Sequence, residues 1–427
     1  MIPVSRPLFL SLLIFILLLI GLASLSSAVI ALTIPILLYL FYGFWRGPDG
    51  IKLEIQRELS AERAVPYTPV TVKVTIINRG GDLEELKVED VLSPSLAITN
   101  GSNRHLISLA KDGKFAFEYT VCGPRGSYPM ETLQVEAMDH FGIVRAFQRV
   151  RTYGQLLVFP LVTKLKYVSI HPRRTRVYAG AIPARVVGAG VEFFGVRDYQ
   201  PGDPPRRINW HVSARRVEEL YSNEFQQERV ADVGIVLDGR ERANSFSGGR
   251  SLFEHSVLAA AALSDALLRQ GNRVGLLVYG HYLQWTLPGY GKLQRERILQ
   301  ALAHATPGPS QIFEGLEYLP VRAFPLESQI VLISQVMEDD YGPLIQLRAR
   351  GYQVLVVSPD SVAFEENLLP RQTEVQLAAR VVRMERQLLI AHLKRAGIQV
   401  IEWNVSKPLD QAVGQALRFR RPIGNRL

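Results

Sequence analysis

An uncharged run from Leu8 to Trp45 is the feature that most constrains the folding of this 427-residue chain. As one helix, its 38 residues would extend roughly 57 Å, nearly twice the hydrocarbon core of a bilayer, which is about 30 Å. The polar segment 24–27 divides the run into Leu8–Ala23 and Ala28–Trp45. Because each piece is near the short end of spanning length, we predict a transmembrane helical hairpin within residues 1–50.

Basic residues flank this hairpin and predict its orientation. Arg6 precedes the first span, Arg46 and Lys52 follow the second, and the turn between the spans has no Lys or Arg. The positive-inside rule then places both ends, and the bulk of the chain, in the cytoplasm of a multi-pass cell-membrane protein. An alternative is that residues 1–28 form a cleaved signal peptide, which leaves the bulk of the chain on the same side.

Residues 51–165 show the period of half-buried β-strands. Apolar and polar side chains alternate at 51–56, 70–76 and 115–121, and turn-forming segments separate these runs. We therefore predict an immunoglobulin-like β-sandwich domain, and we find no catalytic grouping in it.

Residues 231–427 change in pattern. The continuous apolar run Val233–Leu237 is typical of a strand that is buried on both faces. A helix is predicted over 252–270, and later apolar runs alternate with helical stretches at 292–304, 340–350 and 373–396. This alternation predicts an α/β domain with an open, mostly parallel sheet. Ligands of such folds bind at the carboxyl ends of strands, which directs attention to the loops after Leu237 and Ser334.

A long motif occupies the connection between the two domains, residues 166–230. Its members are Glu192, Phe193, Arg197, Tyr199, Gly202, Asp203, Arg206, Ile208, Trp210, Ser213 and Arg215. Two upstream elements, 125–128 and 139–142, accompany it. In all these positions the chain resembles the prokaryotic family called domain of unknown function fifty-eight.

The resemblance implies a membrane hairpin and a β domain joined to a von Willebrand factor A-like α/β domain. It also implies a protein partner, a MoxR-type AAA+ ATPase, because such proteins are often encoded beside these ATPases. No enzymatic activity is established for the family as a class, so the resemblance favours an interaction protein over an enzyme.

The physical chemistry of the motif allows two interpretations. Segment 201–204 is a strong turn signal, and a charge-assisted pair of Asp203 with Arg206 or Arg215 would fix the chain between the domains, with Trp210 as an anchor. Alternatively, Arg197, Asp203 and the other arginines form a contact surface or an acid-and-cation site.

A von Willebrand A domain usually binds a divalent cation through D-x-S-x-S, a Thr and a later Asp. Here Asp238 is present, but Arg240 and Arg242 replace both serines, Ser310 is the candidate for the Thr, and Gln335 replaces the Asp. Since guanidinium groups repel a divalent ion and pair with the carboxylate, we predict a degenerate site that binds no metal, with an arginine in place of the cation. The alternative is that both arginines lie on a solvated loop.

Other chemistry is not indicated by sequence. We find no dinucleotide or phosphate-binding loop, no H-E-x-x-H and no G-x-S-x-G, so we predict no cofactor. The net charge of +9 favours anionic membrane lipid over nucleic acid as a partner, because no aromatic stacking platform accompanies it. We expect a membrane-anchored scaffold that acts with a MoxR-type ATPase. The alternatives are an enzyme of cell-envelope metabolism with Asp203 or Asp238 as acid or base, and a structural protein at the lipid surface.

Overall fold

The computed structural model describes residues 6–45, 51–138, 145–166, 168, 176–215, 219–247, 249–309, 315–320, 324–370 and 372–418. The chain divides into two compact units, Met1–Phe159 and Pro160–Leu427. The predicted motif element 139–142 and the candidate Ser310 lie outside the described residues.

Three helices open the first unit: α1 (Arg6–Ala23), α2 (Ser27–Ala31) and α3 (Thr33–Trp45). The predicted second span is broken at Leu32, because Pro35 in the first turn of α3 has no N–H, and its ring would clash with the Ala31 carbonyl in a continuous helix. Among the residues described, no helix is long and apolar enough to cross a membrane. The predicted transmembrane hairpin is therefore wrong.

The rest of the first unit is built from strands. They are β1 (Leu53–Leu59), β2 (Arg63–Ala64), β3 (Val70–Asn78), β4 (Leu83–Asp90), β5 (Ala97–Gly101), β6 (Arg104–Leu109), β7 (Lys114–Cys122), β8 (Gly126–Pro129), β9 (Thr132–Met138), β10 (Arg145–Arg151) and β11 (Gln155–Val158). Two four-stranded antiparallel sheets have the orders β1-β3-β7-β5 and β10-β9-β4-β6, and a small mixed sheet has the order β2-β11-β8. Apolar side chains from both large sheets, such as Val74 and Val135, form one core.

A buried polar group interrupts this core. Arg57 donates from Nη2 to Asp90 Oδ1 at 2.5 Å and from Nε to Asp90 Oδ2 at 3.2 Å, and the Tyr119 hydroxyl donates to Asp90 Oδ2 at 2.6 Å. Arg57 also donates to the Met130 carbonyl. Burial raises the pKa of Asp90, although Arg57 and Tyr119 oppose this, and it raises the pKa of Tyr119 as well. The group connects β1, β4 and β7 through hydrogen bonds.

The second unit alternates strands and helices after a two-stranded ribbon. Its elements are β12 (Arg176–Asp198), α4 (Trp210–Ser213), β13 (Tyr221–Val230), β14 (Asp232–Gly239), β15 (Phe246–Ser247), β16 (Arg250–Ser251), α5 (Leu252–Arg269), β17 (Arg273–Gly280), β18 (Gln284–Gly289), α6 (Gly291–His304), β19 (Gln329–Ile333), α7 (Tyr341–Ala349), β20 (Gln353–Pro359), α8 (Ser361–Glu366), α9 (Thr373–Arg395), β21 (Gln399–Trp403) and α10 (Leu409–Arg418). Short 3-10 turns lie at Pro205–Arg207, Glu241–Ala243, Leu316–Tyr318 and Glu338–Asp340.

A six-stranded sheet of order β18-β17-β14-β19-β20-β21 forms the centre of this unit. β18 pairs antiparallel with β17, and the other pairs in the sheet are parallel. Every residue of β14 is buried, which agrees with its unbroken apolar run. Gly234 and Gly275 lie opposite each other on β14 and β17, and a Cβ on Gly234 would stand only 2.7 Å from the ring of Phe324. The two glycines therefore make room for this aromatic side chain.

The predicted fold class, a von Willebrand A-like parallel sheet with an immunoglobulin-like domain and a membrane hairpin, is not correct for this chain. The chain is mixed α/β with a β-rich first unit, and antiparallel pairing prevails, since four of the six described sheets are antiparallel throughout and two are mixed. The physical reason is that hydrophobic periodicity reports which side chains are buried, whereas strand direction and pairing depend on tertiary contacts.

Candidate functional site

The carboxyl end of β14 carries a buried ion cluster of Asp238, Arg240 and Asp340. Arg240 donates from Nε to Asp238 Oδ1 at 3.0 Å and from Nη2 to Asp238 Oδ2 at 2.7 Å. It donates to Asp340 as well, from Nη1 to Oδ1 and from Nη2 to Oδ2, both at 2.8 Å. One guanidinium thus bridges two carboxylates in a bidentate manner, which is the strongest arrangement that such ion pairs form.

Backbone and side-chain groups hold each member of the buried ion cluster in place. Asp238 Oδ1 accepts the Arg240 N–H at 3.0 Å, and Asp238 Oδ2 accepts the Ser334 hydroxyl at 2.6 Å. Asp340 Oδ2 accepts the Met337 N–H at 2.9 Å. Each of the four carboxylate oxygens therefore accepts at least one hydrogen bond, and the cluster ties β14 to the segment that follows β19.

Burial and the neighbouring carboxylates have opposite effects on the pKa of Arg240. Side chains of all three members of the buried ion cluster are almost completely inaccessible to water. Burial lowers the pKa of Arg240, but the hydrogen bonds that it donates to Asp340 and Asp238 more than offset this, so the pKa lies above its usual range. The guanidinium stays a cation, and with both carboxylates ionised the buried ion cluster has a formal charge of −1. Burial also raises the pKa of nearby Tyr279 to about 12.

The loop after β19 is strained next to this cluster. Val336 has a φ of +56°, the left-handed region that a β-branched residue rarely adopts. Its N–H donates to the Ser334 hydroxyl at 3.0 Å, so the hydroxyl that serves Asp238 also stabilises the strained turn. Strain of this kind persists only where surrounding contacts fix the backbone, as the buried ion cluster does here.

The structure separates the residues that sequence placed in one degenerate metal site. Asp238 and Arg240 lie together, but Arg242 is exposed and pairs with Asp339 at 2.6 Å. Gln335 donates to the Arg242 carbonyl at 3.3 Å rather than approaching Asp238. The described part of the chain contains no group of three or more His, Cys, Asp or Glu side chains that could hold a metal. That the site binds no metal stays a prediction.

Asp340 and Ser334 were not identified from sequence as partners of Asp238. Asp340 follows Arg240 by 100 positions. The only signal in the sequence is that Arg240 and Asp340 each follow a predicted buried strand. The ends of neighbouring strands meet at one edge of a sheet.

The motif between the domains contains a tight turn held by an ion pair. The Asp203 N–H donates to the Gln200 carbonyl at 3.0 Å, and Gly202 has a φ of +110°, which a Pro-Gly turn of this kind requires. Arg197 donates from Nη2 to Asp203 Oδ1 at 2.7 Å and contacts Glu224 Oε1 from Nε at 3.0 Å. The hydrogen bond from Arg197 holds the pKa of Asp203 below its usual range.

The predicted pairing of Asp203 with Arg206 or Arg215 is wrong, because both arginines are exposed and Arg197 takes that place. The reason is the β12–β13 ribbon, whose register sets Arg197 opposite Ser222 and so brings Glu224 within reach. Trp210 is not a buried anchor either, since 66% of its surface is exposed. It is the first residue of the four-residue helix α4.

The remaining members of the motif lie on β12 or between β12 and β13. The Tyr199 hydroxyl donates to the Asp203 carbonyl at 3.3 Å, and Ser213 Oγ accepts the Tyr221 N–H at 2.9 Å. Ile208 forms a bridge with Ser222, while Phe193 on β12 is exposed. Glu192 belongs to β12 as well.

A cavity of about 600 Å³ opens beside the buried ion cluster, between the loop after β19 and helix α9. Arg386 of α9 lines it and donates to the carbonyls of Gln335 at 3.2 Å and Pro359 at 3.0 Å, and to Ser358 Oγ at 2.9 Å. Burial lowers the pKa of Arg386. Its guanidinium thereby caps carbonyl groups at the ends of β19 and β20.

A protein-family model matches the part of the chain that carries this geometry. The family model described as "Protein of unknown function DUF58" matches residues 195–396, which include most of the motif, the buried ion cluster and α9. The uncharacterized protein YeaD of Bacillus subtilis is 26% identical over 157 residues, or 37% of each chain. The uncharacterized protein Rv1480 of Mycobacterium tuberculosis is 25% identical over 219 residues, 49% of this chain and 64% of that protein. The chain thus matches less than two thirds of the length of these relatives.

Two solved structures match short parts of the chain. A complex of zinc 2-glycoprotein and prolactin inducible protein from human seminal plasma covers 26% of this chain at 14% identity with a TM-score of 0.19. The cupredoxin domain of amoB from Nitrosocaldus yellowstonii covers 30% at 11% identity with a TM-score of 0.20. The match spans 98% of the first of those chains and all of the second.

Proposed function

We propose that this chain, whose residues 195–396 belong to the family of proteins of unknown function DUF58, is an interaction or scaffold protein whose partner is a MoxR-type AAA+ ATPase. The observation that carries the proposal is the buried ion cluster, in which every carboxylate oxygen of Asp238 and Asp340 is already occupied. A carboxylate that is hydrogen-bonded twice to one guanidinium and sealed from water is poorly suited to exchange protons with a substrate.

The enzyme alternative has little support at its other candidate. The low pKa of Asp203, caused mainly by the Arg197 hydrogen bond, makes this carboxylate a weak general base, because a base works best when its pKa is near the operating pH. Its oxygens are also committed, to Arg197 at 2.7 Å and to the Gln200 N–H at 3.1 Å. These contacts support a role for Asp203 in holding the turn.

The surface that we propose for the ATPase is the exposed side of the motif. Trp210 and Phe193 are exposed aromatic side chains of the motif, and Arg206 and Arg215 are exposed cations of the same motif. Trp and Arg are the side chains that dominate binding energy at protein interfaces. Segment 166–230 has eleven Lys or Arg and seven Asp or Glu, so it carries a formal charge of +4 and suits an acidic surface on the partner. The choice of partner rests on the family resemblance.

Affinity capture of the full chain from detergent-solubilised membranes, with and without ATP, tests the proposal. We expect an AAA+ ATPase, identified by mass spectrometry, to co-purify with the chain, and we expect Trp210→Ala to reduce its recovery at least tenfold. Phe246→Ala is the matched control, because Phe246 is an exposed aromatic residue of the same unit outside the motif, and it should leave recovery unchanged. Turnover of an envelope substrate that Asp203→Asn abolishes, with no ATPase bound, would replace this proposal with the enzyme alternative.

The cytoplasmic face of a membrane as the site of action, and anionic lipid as a second partner, stay predictions. Flotation of the chain with vesicles that contain phosphatidylserine, compared with neutral vesicles, tests the lipid contact.

A further inference from the structure

We propose that α9 pairs with α9 of a second copy of this chain, in parallel, through an apolar seam on its outer side. α9 runs from Thr373 to Arg395, so its 23 residues extend about 34 Å. One side of the helix packs against its own unit through Arg386, Ile390 and Leu393. The proposal concerns the opposite side and does not depend on the ATPase partner.

The seam consists of four large apolar side chains at alternating intervals of four, three and four residues. They are Leu377 (63% exposed), Val381 (44%), Met384 (51%) and Leu388 (62%). This is the a/d spacing of a heptad repeat, with Val381 and Leu388 at a and with Leu377 and Met384 at d. At 100° per residue, the centre of the seam lies roughly half a turn from the side that packs on the unit. The centre of the apolar seam therefore lies on the outer side of α9, and only Leu388 at its carboxyl end also borders the cavity beside the loop after β19.

Such a seam is complementary to itself. Exposed apolar residues that occur singly are ordinary, whereas four in heptad register on a preformed helix match the knobs-into-holes packing of a two-stranded coiled coil. A β-branched residue at a, here Val381, together with leucine at d favours two strands. Glu374 and Ala391, at the next a and d positions, end the seam, so it covers about three turns of α9.

Charges beside the seam select the parallel orientation. In a parallel pair, the g residue of one helix faces the e residue of the next heptad on the other helix. Arg380 is at g and Glu385 is at e, so a parallel dimer places these opposite charges together twice, once on each side of the two-fold axis. Both are exposed, and neither has an ion-pair partner among the residues that the structure describes. In the antiparallel register that aligns Val381 with Met384, e positions face e positions and g positions face g positions, so Arg380 and Glu385 lie on different sides of the seam and do not pair.

Site-directed cross-linking of the full chain, kept in mild detergent, tests the pairing and its direction. Leu377→Cys in a Cys122→Ser background places one thiol at the amino end of the seam. In a parallel dimer the two copies lie side by side, and oxidation should join them. In the antiparallel register Leu377 faces Leu388, so the two thiols lie roughly 16 Å apart along the axis and should not join.

Variants test whether the seam drives the association. We expect Met384→Glu to weaken dimerisation at least tenfold in sedimentation equilibrium, with the melting temperature unchanged. Val382→Glu is the matched control, because Val382 is a half-exposed valine on the same helix outside the seam, and it should have little effect. Arg380→Glu or Glu385→Arg alone should weaken the dimer, and the double variant should restore it because the pair is then reversed in both copies.

Three results would overturn the proposal. They are a chain that stays monomeric at all concentrations tested, a dimer indifferent to Met384→Glu, and capture of another protein by the seam without self-association. Cross-linking of Leu377→Cys to Leu388→Cys, but not to itself, would overturn the parallel arrangement. The ATPase capture experiment can succeed or fail independently of each of these outcomes.

Discussion

Removal of the cation from the buried ion cluster, by Arg240→Ala, should strongly destabilise the second unit. The substitution deletes the four side-chain hydrogen bonds to Asp238 and Asp340 and leaves two carboxylates buried without a counter-charge. Breaking a buried ion pair by removal of one partner costs about 3–5 kcal/mol of unfolding free energy. For a unit of this size, that corresponds to a fall in melting temperature of roughly 10 °C, which differential scanning calorimetry measures.

The matched control is Arg242→Ala, two residues away. Arg242 pairs with Asp339 at the surface, where an exposed ion pair contributes at most about 1 kcal/mol. A loss with Arg240→Ala no larger than the loss with Arg242→Ala would refute the argument from burial.

The pH dependence of the Arg240→Ala variant gives a second check. Without the guanidinium, two carboxylates are buried side by side, and a neutral carboxyl group costs less to bury than a charged one. Acid therefore relieves the variant more than the wild type, so the deficit should be full at neutral pH and should shrink as the pH falls toward 4. A deficit that does not change with pH would also count against the reasoning.

Two further predictions concern other buried polar groups. Tyr119→Phe removes a hydrogen bond to the buried carboxylate of Asp90. Urea titration should show that the unfolding free energy of the first unit falls by about 1.5–3 kcal/mol, and a loss below about 0.5 kcal/mol would contradict this. His255 contacts the rings of Phe364 and Trp403, and burial lowers its pKa. The unfolded state therefore binds a proton more readily than the folded state, and the unfolding free energy falls as the pH drops below about 6.5. In His255→Gln the difference in unfolding free energy between pH 7.5 and pH 5.5 should be smaller, and an unchanged difference would exclude this role for His255.

The helices and buried strands of the second unit were largely predictable, because they depend on local hydrophobic patterns. The helix expected over 252–270 is α5 (Leu252–Arg269), and the apolar run at 233–237 lies within β14 (Asp232–Gly239). Both patterns are unbroken over their length, so local propensity and burial agree. The sequence does carry a signal for the break at Leu32, namely Pro35, but a span inferred from the absence of charge takes no account of it.

The candidate site was predictable only in its local part. Asp238 and Arg240 are two residues apart, so the sequence alone suggests that they pair. Asp340 joins them from 100 positions away, and Glu224 joins Arg197 across a strand pairing, which no periodicity encodes. Trp210 shows the converse error, since the apolar body of a tryptophan suggests burial, while its actual exposure depends on which residues pack against it in the folded chain.

The sequence distance between Arg240 and Asp340 has a consequence for folding kinetics. Bringing these residues together closes a loop of about a hundred residues, and the entropy of that closure must be offset before the ion pair forms. We therefore expect the bridge to form after the transition state for folding, so that it contributes little to the rate at which the chain folds. Contacts that are absent from the transition state for folding affect the unfolding rate, because they must break before the chain reaches that transition state. We therefore expect the buried arginine to slow the unfolding of the second unit and, with it, the proteolysis that depends on complete unfolding.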